Sequence, residues 1–179
     1  MTGMLRLLLS YATFPGVIAH EFSHAWVCRR LGIPVERVCY LRLGNPMGYV
    51  LHARPSSAIL HIMVAMAPFY VSTFLAAALA LAASLIGRYL SFSGQDAAIL
   101  LTVWCSFSLA LHAFPSEGDA HSLWNDVRNP EVGWLSKGLL VPAVALIRLV
   151  RLGARCWLDV LFALGVVALP PAALLVLTG

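Results

Sequence analysis

His20-Glu21-Phe22-Ser23-His24 sets two imidazoles four residues apart, with a carboxylate beside the first. On a helix, residues i and i+4 share a face, so both rings reach one metal ion. Glu21 then stands about 100° round the axis, within reach of a water on that ion. The chemistry this suits is zinc-dependent hydrolysis: two histidines anchor one Zn2+, and the carboxylate acts as general base toward the water that attacks a polarised carbonyl. Catalytic zinc usually has three protein ligands and keeps a position for water. The run Pro115-Ser116-Glu117-Gly118-Asp119-Ala120-His121 offers Asp119 and His121 for the third place.

The elements that must position these groups belong to a membrane protein. Sixty per cent of the 179 residues are hydrophobic and 11% are charged, too few charges to cover a water-soluble surface. The apolar residues fall in blocks near the roughly 20 residues a helix needs to cross the hydrocarbon core. We read helix 1 over residues 4–30 with a kink at Pro15-Gly16, helix 2 over 57–87 with a bend at Pro68, and helix 3 over 96–114. A weaker segment at 134–151 either spans or lies in the interface, and a last span covers 157–177. Arg6 before Leu7-Leu8-Leu9 has the flavour of a signal peptide, but we read it as a retained helix. Residues 35–54, split by Gly44-Asn45-Pro46-Met47-Gly48, read as two strands around a turn. Residues 115–131 read as a polar connection. The expected fold is an all-α membrane protein: four to five transmembrane helices in one domain, with a short β-hairpin after the first helix. The core is 4–121 and the C-terminal helices are 134–178.

Two histidines and a glutamate inside an apolar span are costly unless bound or paired, so they point to function. The net charge of +4 does not indicate nucleic acid, because the basic residues are not massed in a soluble module. Arg29, Arg30, Arg37, Arg42 and Arg54 follow the first apolar block and read as a cytoplasmic marker, which places the active site toward the cytoplasm and the N-terminus outside. On that count Arg6 and Arg88 fall on the opposite side, joined by Arg148, Arg151 and Arg155 if the segment 134–151 spans. Cys28, Cys39, Cys105 and Cys156 form no C-x-x-C pair and read as packing residues.

A membrane-embedded H-E-x-x-H, then a short β-like insertion, another span and an acidic residue at the end of a third resembles the site-2 proteases. The match covers roughly residues 7–119. That resemblance implies a zinc-dependent peptidase acting on membrane-associated or transmembrane proteins, with one Zn2+ held by His20, His24 and Asp119 and with Glu21 as the base. Pro115 and Asp119 match the family's second motif. His112 stands where that motif has Asn, Asp119 comes one residue early, Ala120 replaces Gly, and the family's Gly-Pro in the intervening helix is reduced to Ala67-Pro68. His112 would orient a ligand or hold an oxyanion, and Gly118 would let the chain turn Asp119 back toward helix 1. The strand Tyr49-Val50-Leu51-His52 would offer an edge to an extended substrate. His52 and His61 read as structural or interfacial, and Glu117 and Asp126 as solvated charges. The competing reading is a non-catalytic zinc-binding membrane regulator or carrier, which would not require Glu21.

Overall fold

Thr13 divides the helix that hydropathy makes continuous. The computed structural model describes residues 2–178, with α1 over Thr2–Ala12 and α2 over Phe14–Arg30. Pro15 lies in the first turn of α2, where its missing N–H costs nothing and its fixed φ favours helix. It therefore opens a helix instead of kinking one. A straight helix would hold Arg6 and Glu21 about 22 Å apart. Both instead line one cavity of about 450 Å³, together with Leu7, Val17 and His20, so the chain bends between α1 and α2.

Gly32 ends α2 in a left-handed conformation, φ +70°, and Ile33 N–H returns to the Cys28 carbonyl at 2.8 Å. The hairpin follows, β1 (Val35–Cys39) antiparallel to β2 (Tyr49–His52), with Val38 opposite Val50 and Cys39 opposite Tyr49. Its turn is pressed onto α2. A Cβ built on Gly48 would come within 2.6 Å of Glu21 Cγ and 3.0 Å of the Cys39 and Tyr40 carbonyls, so only glycine fits there.

Helix α3 (Ala58–Tyr89) is capped by the Ser57 hydroxyl, which accepts from Leu60 N–H, and continues through Pro68. Helix α4 (Gln95–Leu111) packs on its small-residue face, where Ser106 Oγ donates to the Ala76 carbonyl at 2.7 Å. Helix α7 (Leu158–Thr178) joins them, and Ala76, Leu109, Leu111, Ala163 and Val166 form their common core.

The polar connection at 115–131 is a helix, α5 (Glu117–Arg128). Ser116 and Asp119 cap it reciprocally: Asp119 N–H donates to Ser116 Oγ, and Ser116 N–H donates to Asp119 Oδ2. A Ser-x-x-Asp box carries enough capping energy to start a helix in a polar stretch. Gly118 is thereby an ordinary residue of its first turn and not a hinge. Helix α6 (Trp134–Arg155) runs four residues beyond the expected segment and buries Leu140, Val144 and Ile147 against α3 and α5.

Seven helices and one hairpin thus make up the described residues. Two of the helices, α3 and α7, are long and apolar enough to cross a membrane, and α4 is a shorter apolar helix. Phe74, Leu100, Leu161 and Leu169 are 73%, 70%, 63% and 68% exposed on them. Large apolar side chains so disposed suit a lipid-facing surface better than water.

Candidate metal centre

Helix α2 presents His20 and His24 on one face, and the first turn of α5 brings Asp119 to them. One ligating atom from each lies within 4.8 Å of the others. His24 Nε2 is 3.3 Å from His20 Nε2 and 3.3 Å from Asp119 Oδ1, and His20 Nε2 is 3.9 Å from Asp119 Oδ2. His24 is buried, and the other two are largely so.

Hydrogen-bond logic assigns the protons. His20 Nδ1 donates to the His112 carbonyl at 2.8 Å, and His24 Nδ1 donates to the Val64 carbonyl at 2.9 Å. Each neutral ring therefore turns a bare Nε2 lone pair toward the other. Asp119 Oδ2 accepts from Ser116 N–H at 2.6 Å and Ser116 Oγ at 2.7 Å, which leaves Oδ1 for the histidines. Burial alone would raise the Asp119 carboxyl, but positive charge at the His24 and His20 positions and the Ser116 hydroxyl hold it well below the usual carboxylate range, so a cation placed between the imidazoles would keep it ionised. Two lone pairs and a carboxylate converging in a buried space could hold a cation. The donor set, two imidazoles and one carboxylate, suits zinc.

Both orienting carbonyls are free because a helix ladder is interrupted. Pro68 has no N–H, so the carbonyl four residues back, Val64, has no partner within α3. That carbonyl is the one His24 uses. The His112 carbonyl lies at the end of α4, where Ser116 N–H is already committed to Asp119. Pro68→Ala would return a donor to Val64 and put it in competition with His24 Nδ1–H. Zinc affinity, read by titration against a competing chelator, is then expected to fall about 10–100-fold, the usual cost of losing an outer-shell partner. The helix itself should gain stability. Unchanged affinity would remove Pro68 from the site.

The remaining predicted residues divide clearly. His121 is exposed, two positions beyond Asp119 on α5 and so about 200° round it. It is absent from the cluster, because residues 117–128 form a helix and not a loop. His112 contributes its main chain. Thr13 Oγ1 donates to the Leu9 carbonyl at 2.7 Å and so accepts from His112 Nε2–H at 2.9 Å. That uses the only N–H of the neutral ring, so His112 offers none to an oxyanion. Val50 and His52 line a second cavity of about 210 Å³ with Glu21, His24 and Asp119. Tyr49 and Leu51 point the other way, as strand alternation requires, and Arg37 and Arg42 lie over the Tyr49 ring. Glu21 lines both cavities.

Asp126 is buried, not a solvated charge. His61 Nδ1 donates to Asp126 Oδ2 at 2.6 Å, His61 Nε2 meets Ser122 Oγ at 2.9 Å, and Arg54 Nε donates to Asp126 Oδ1 at 2.8 Å. The contacts run in the order of a serine hydrolase triad. Ser122 lies inside α5, however, where the neighbouring backbone N–H groups are spent on the helix, so a tetrahedral oxyanion would find no donors. The cluster clasps α5 to α3 and thereby sets Asp119 against the histidines. Sequence reading missed this clasp, Thr13, and the Val64 and His112 carbonyls. The i−4 register of Pro68 was the one available signal.

No protein-family model, curated protein or solved structure matches the chain.

Proposed function

We propose that the protein is a membrane-embedded zinc metallopeptidase of the site-2 protease type, hydrolysing peptide bonds of membrane-associated or transmembrane substrates. The observation that carries this reading is the meeting of two histidine lone pairs and a carboxylate in a cleft that Glu21 also lines. His20, His24 and Asp119 would hold the ion. Bound Zn2+ would supply a Lewis acid for the scissile carbonyl and a water acidified toward neutrality. Glu21 takes the proton from the attacking water and passes one to the departing amine. The free edge of β2 receives the substrate as an added strand, which keeps it extended beside Val50 and His52. A zinc regulator or carrier would need the three ligands but no carboxylate beside them, so Glu21 favours the enzyme. The direct test is cleavage of co-expressed membrane proteins by the zinc-loaded protein. Cleavage that persists after the metal is stripped would remove the metallopeptidase reading.

In this reading α2, α3, α4 and α7 lie in the bilayer, and α5 and α6 stay on the side of the metal centre. Arg6 pairs with Asp159 at the start of α7 at 2.9 Å, which puts it on that side too, where a straight helix would have carried it across. All of the twelve Lys and Arg residues except Arg88 then share one side, a stronger bias than a spanning α6 would give, and that side is cytoplasmic. In a protein freed of its native cysteines, Leu43→Cys in the hairpin turn and Leu152→Cys on α6 are expected to react with an impermeant thiol reagent from the cytoplasmic face only. Gln95→Cys should react from the opposite face only. Labelling of Leu43→Cys and Gln95→Cys from one face would make α3 re-entrant and remove this topology.

A further inference from the structure

We propose that α6 lies along the bilayer surface and that its arginines bind the phosphate of an anionic phospholipid headgroup. Arg6, Glu117, Arg148, Arg151, Leu152 and Arg155 line a cavity of about 620 Å³. Arg148, Arg151 and Arg155 follow one another at i, i+3 and i+7, so the helix presents them on one face. Arg6 is neutralised by Asp159 at 2.9 Å, and Arg148 lies over the Trp124 ring at 5.2 Å. Arg151 and Arg155 have no ion-pair partner among the described residues. With Glu117 as the only other charge on its walls, the cavity is strongly positive.

Two features make lipid the occupant. Leu149 and Leu152 are 66% and 56% exposed beside these arginines. A helix that shows leucines and guanidinium groups side by side belongs at the boundary between hydrocarbon and headgroups. Arg155 also stands three residues before α7, one of the two helices long and apolar enough to span. Cations just outside a span sit at headgroup depth, where anionic lipid is concentrated. The guanidinium fork matches phosphate in a bidentate contact. A zwitterionic headgroup carries its own competing cation; phosphatidylglycerol carries none. Arg6 and Arg151 also line the cavity that holds His20 and Glu21, so the headgroup would sit at a wall shared with the metal centre. The lipid site stands or falls separately from peptidase activity.

The test reconstitutes the full-length protein in nanodiscs of phosphatidylcholine with a minor fraction of phosphatidylglycerol, then reads retained lipid by native mass spectrometry. Wild type should retain phosphatidylglycerol in preference. Each arginine near an anionic surface is worth about fivefold in affinity, so the triple variant R148Q/R151Q/R155Q should lose about a hundredfold. R151Q alone should lose about fivefold, and it serves if the triple variant is not recovered folded. Lys137→Gln, on the same helix but outside the cavity, should retain the lipid as wild type does. Equal retention of both lipids by wild type would overturn the site, as would wild-type retention by R148Q/R151Q/R155Q or R151Q. Displacement by inorganic phosphate as readily as by glycerophosphate would make it a free-anion site. Displacement by a peptide with a free C-terminal carboxylate, but not by its amide, would make it a substrate-terminus site. Either result removes the lipid.

Discussion

Glu21→Gln is expected to lower hydrolysis by about 10²–10⁴-fold, the share usually carried by general acid–base catalysis, with zinc per protein at the wild-type value. The geometry separates the two roles. The three ligating atoms that meet within 4.8 Å come from His20, His24 and Asp119, and Glu21 is not among them. It lines the cavities on both sides of that group, where a water and a peptide carbonyl would have to enter. Its stem is fixed by the hairpin turn, because Gly48 brings main chain directly against Glu21 Cγ. Gln preserves that packing and removes only the basic oxygen. Metal analysis and a cleavage assay on the same preparation check both halves. Full turnover with zinc bound would exclude Glu21 as the base, and loss of zinc would make it a ligand.

The second large effect is expected at Asp119. Asp119→Ala should weaken zinc binding by more than the roughly 10–100-fold that an outer-shell loss costs, whereas His121→Ala should leave it unchanged. Asp119 faces both histidines through one carboxylate while its Oδ2 caps α5. Alanine therefore removes a ligand and also about 1 kcal/mol of helix capping. Asp119→Asn separates these effects, since its amide oxygen can still cap the helix but the ligand charge is gone; zinc affinity should fall there as well. His121 is exposed on the far side of α5. Zinc retained in Asp119→Ala and lost in His121→Ala would reverse the assignment and leave the likeness to site-2 proteases resting on residues 20–24.

Local sequence was sufficient where local forces decide the outcome. Four-residue spacing on a helix puts His20 and His24 on one face wherever that helix lies. Alternation and the Gly44–Gly48 turn set β2 at Tyr49–His52, and long apolar runs give α3 and α7. Two local signals were present but outweighed. Pro15 marks a helix start as readily as a kink, and Ser116-x-x-Asp119 is a capping box inside a stretch whose polarity suggested a loop. That second misreading kept His121 open as a ligand, because only a helix turns i and i+2 to opposite sides.

What tertiary structure alone decided is which groups meet. The sequence determined a chain rich enough in apolar residues to need a nonpolar environment, and a paired-histidine helix bearing a carboxylate. It did not determine that Arg6 on α1 pairs with Asp159 on α7, that His61 and Asp126 clasp α3 to α5, or that the carbonyl freed by Pro68 lies beneath His24. Each depends on contacts between residues 40 to 153 positions apart in sequence, as from His24 to Val64 and from Arg6 to Asp159. Such contacts follow from how helices of particular length and face pack together. Spacing along the chain carries no record of them.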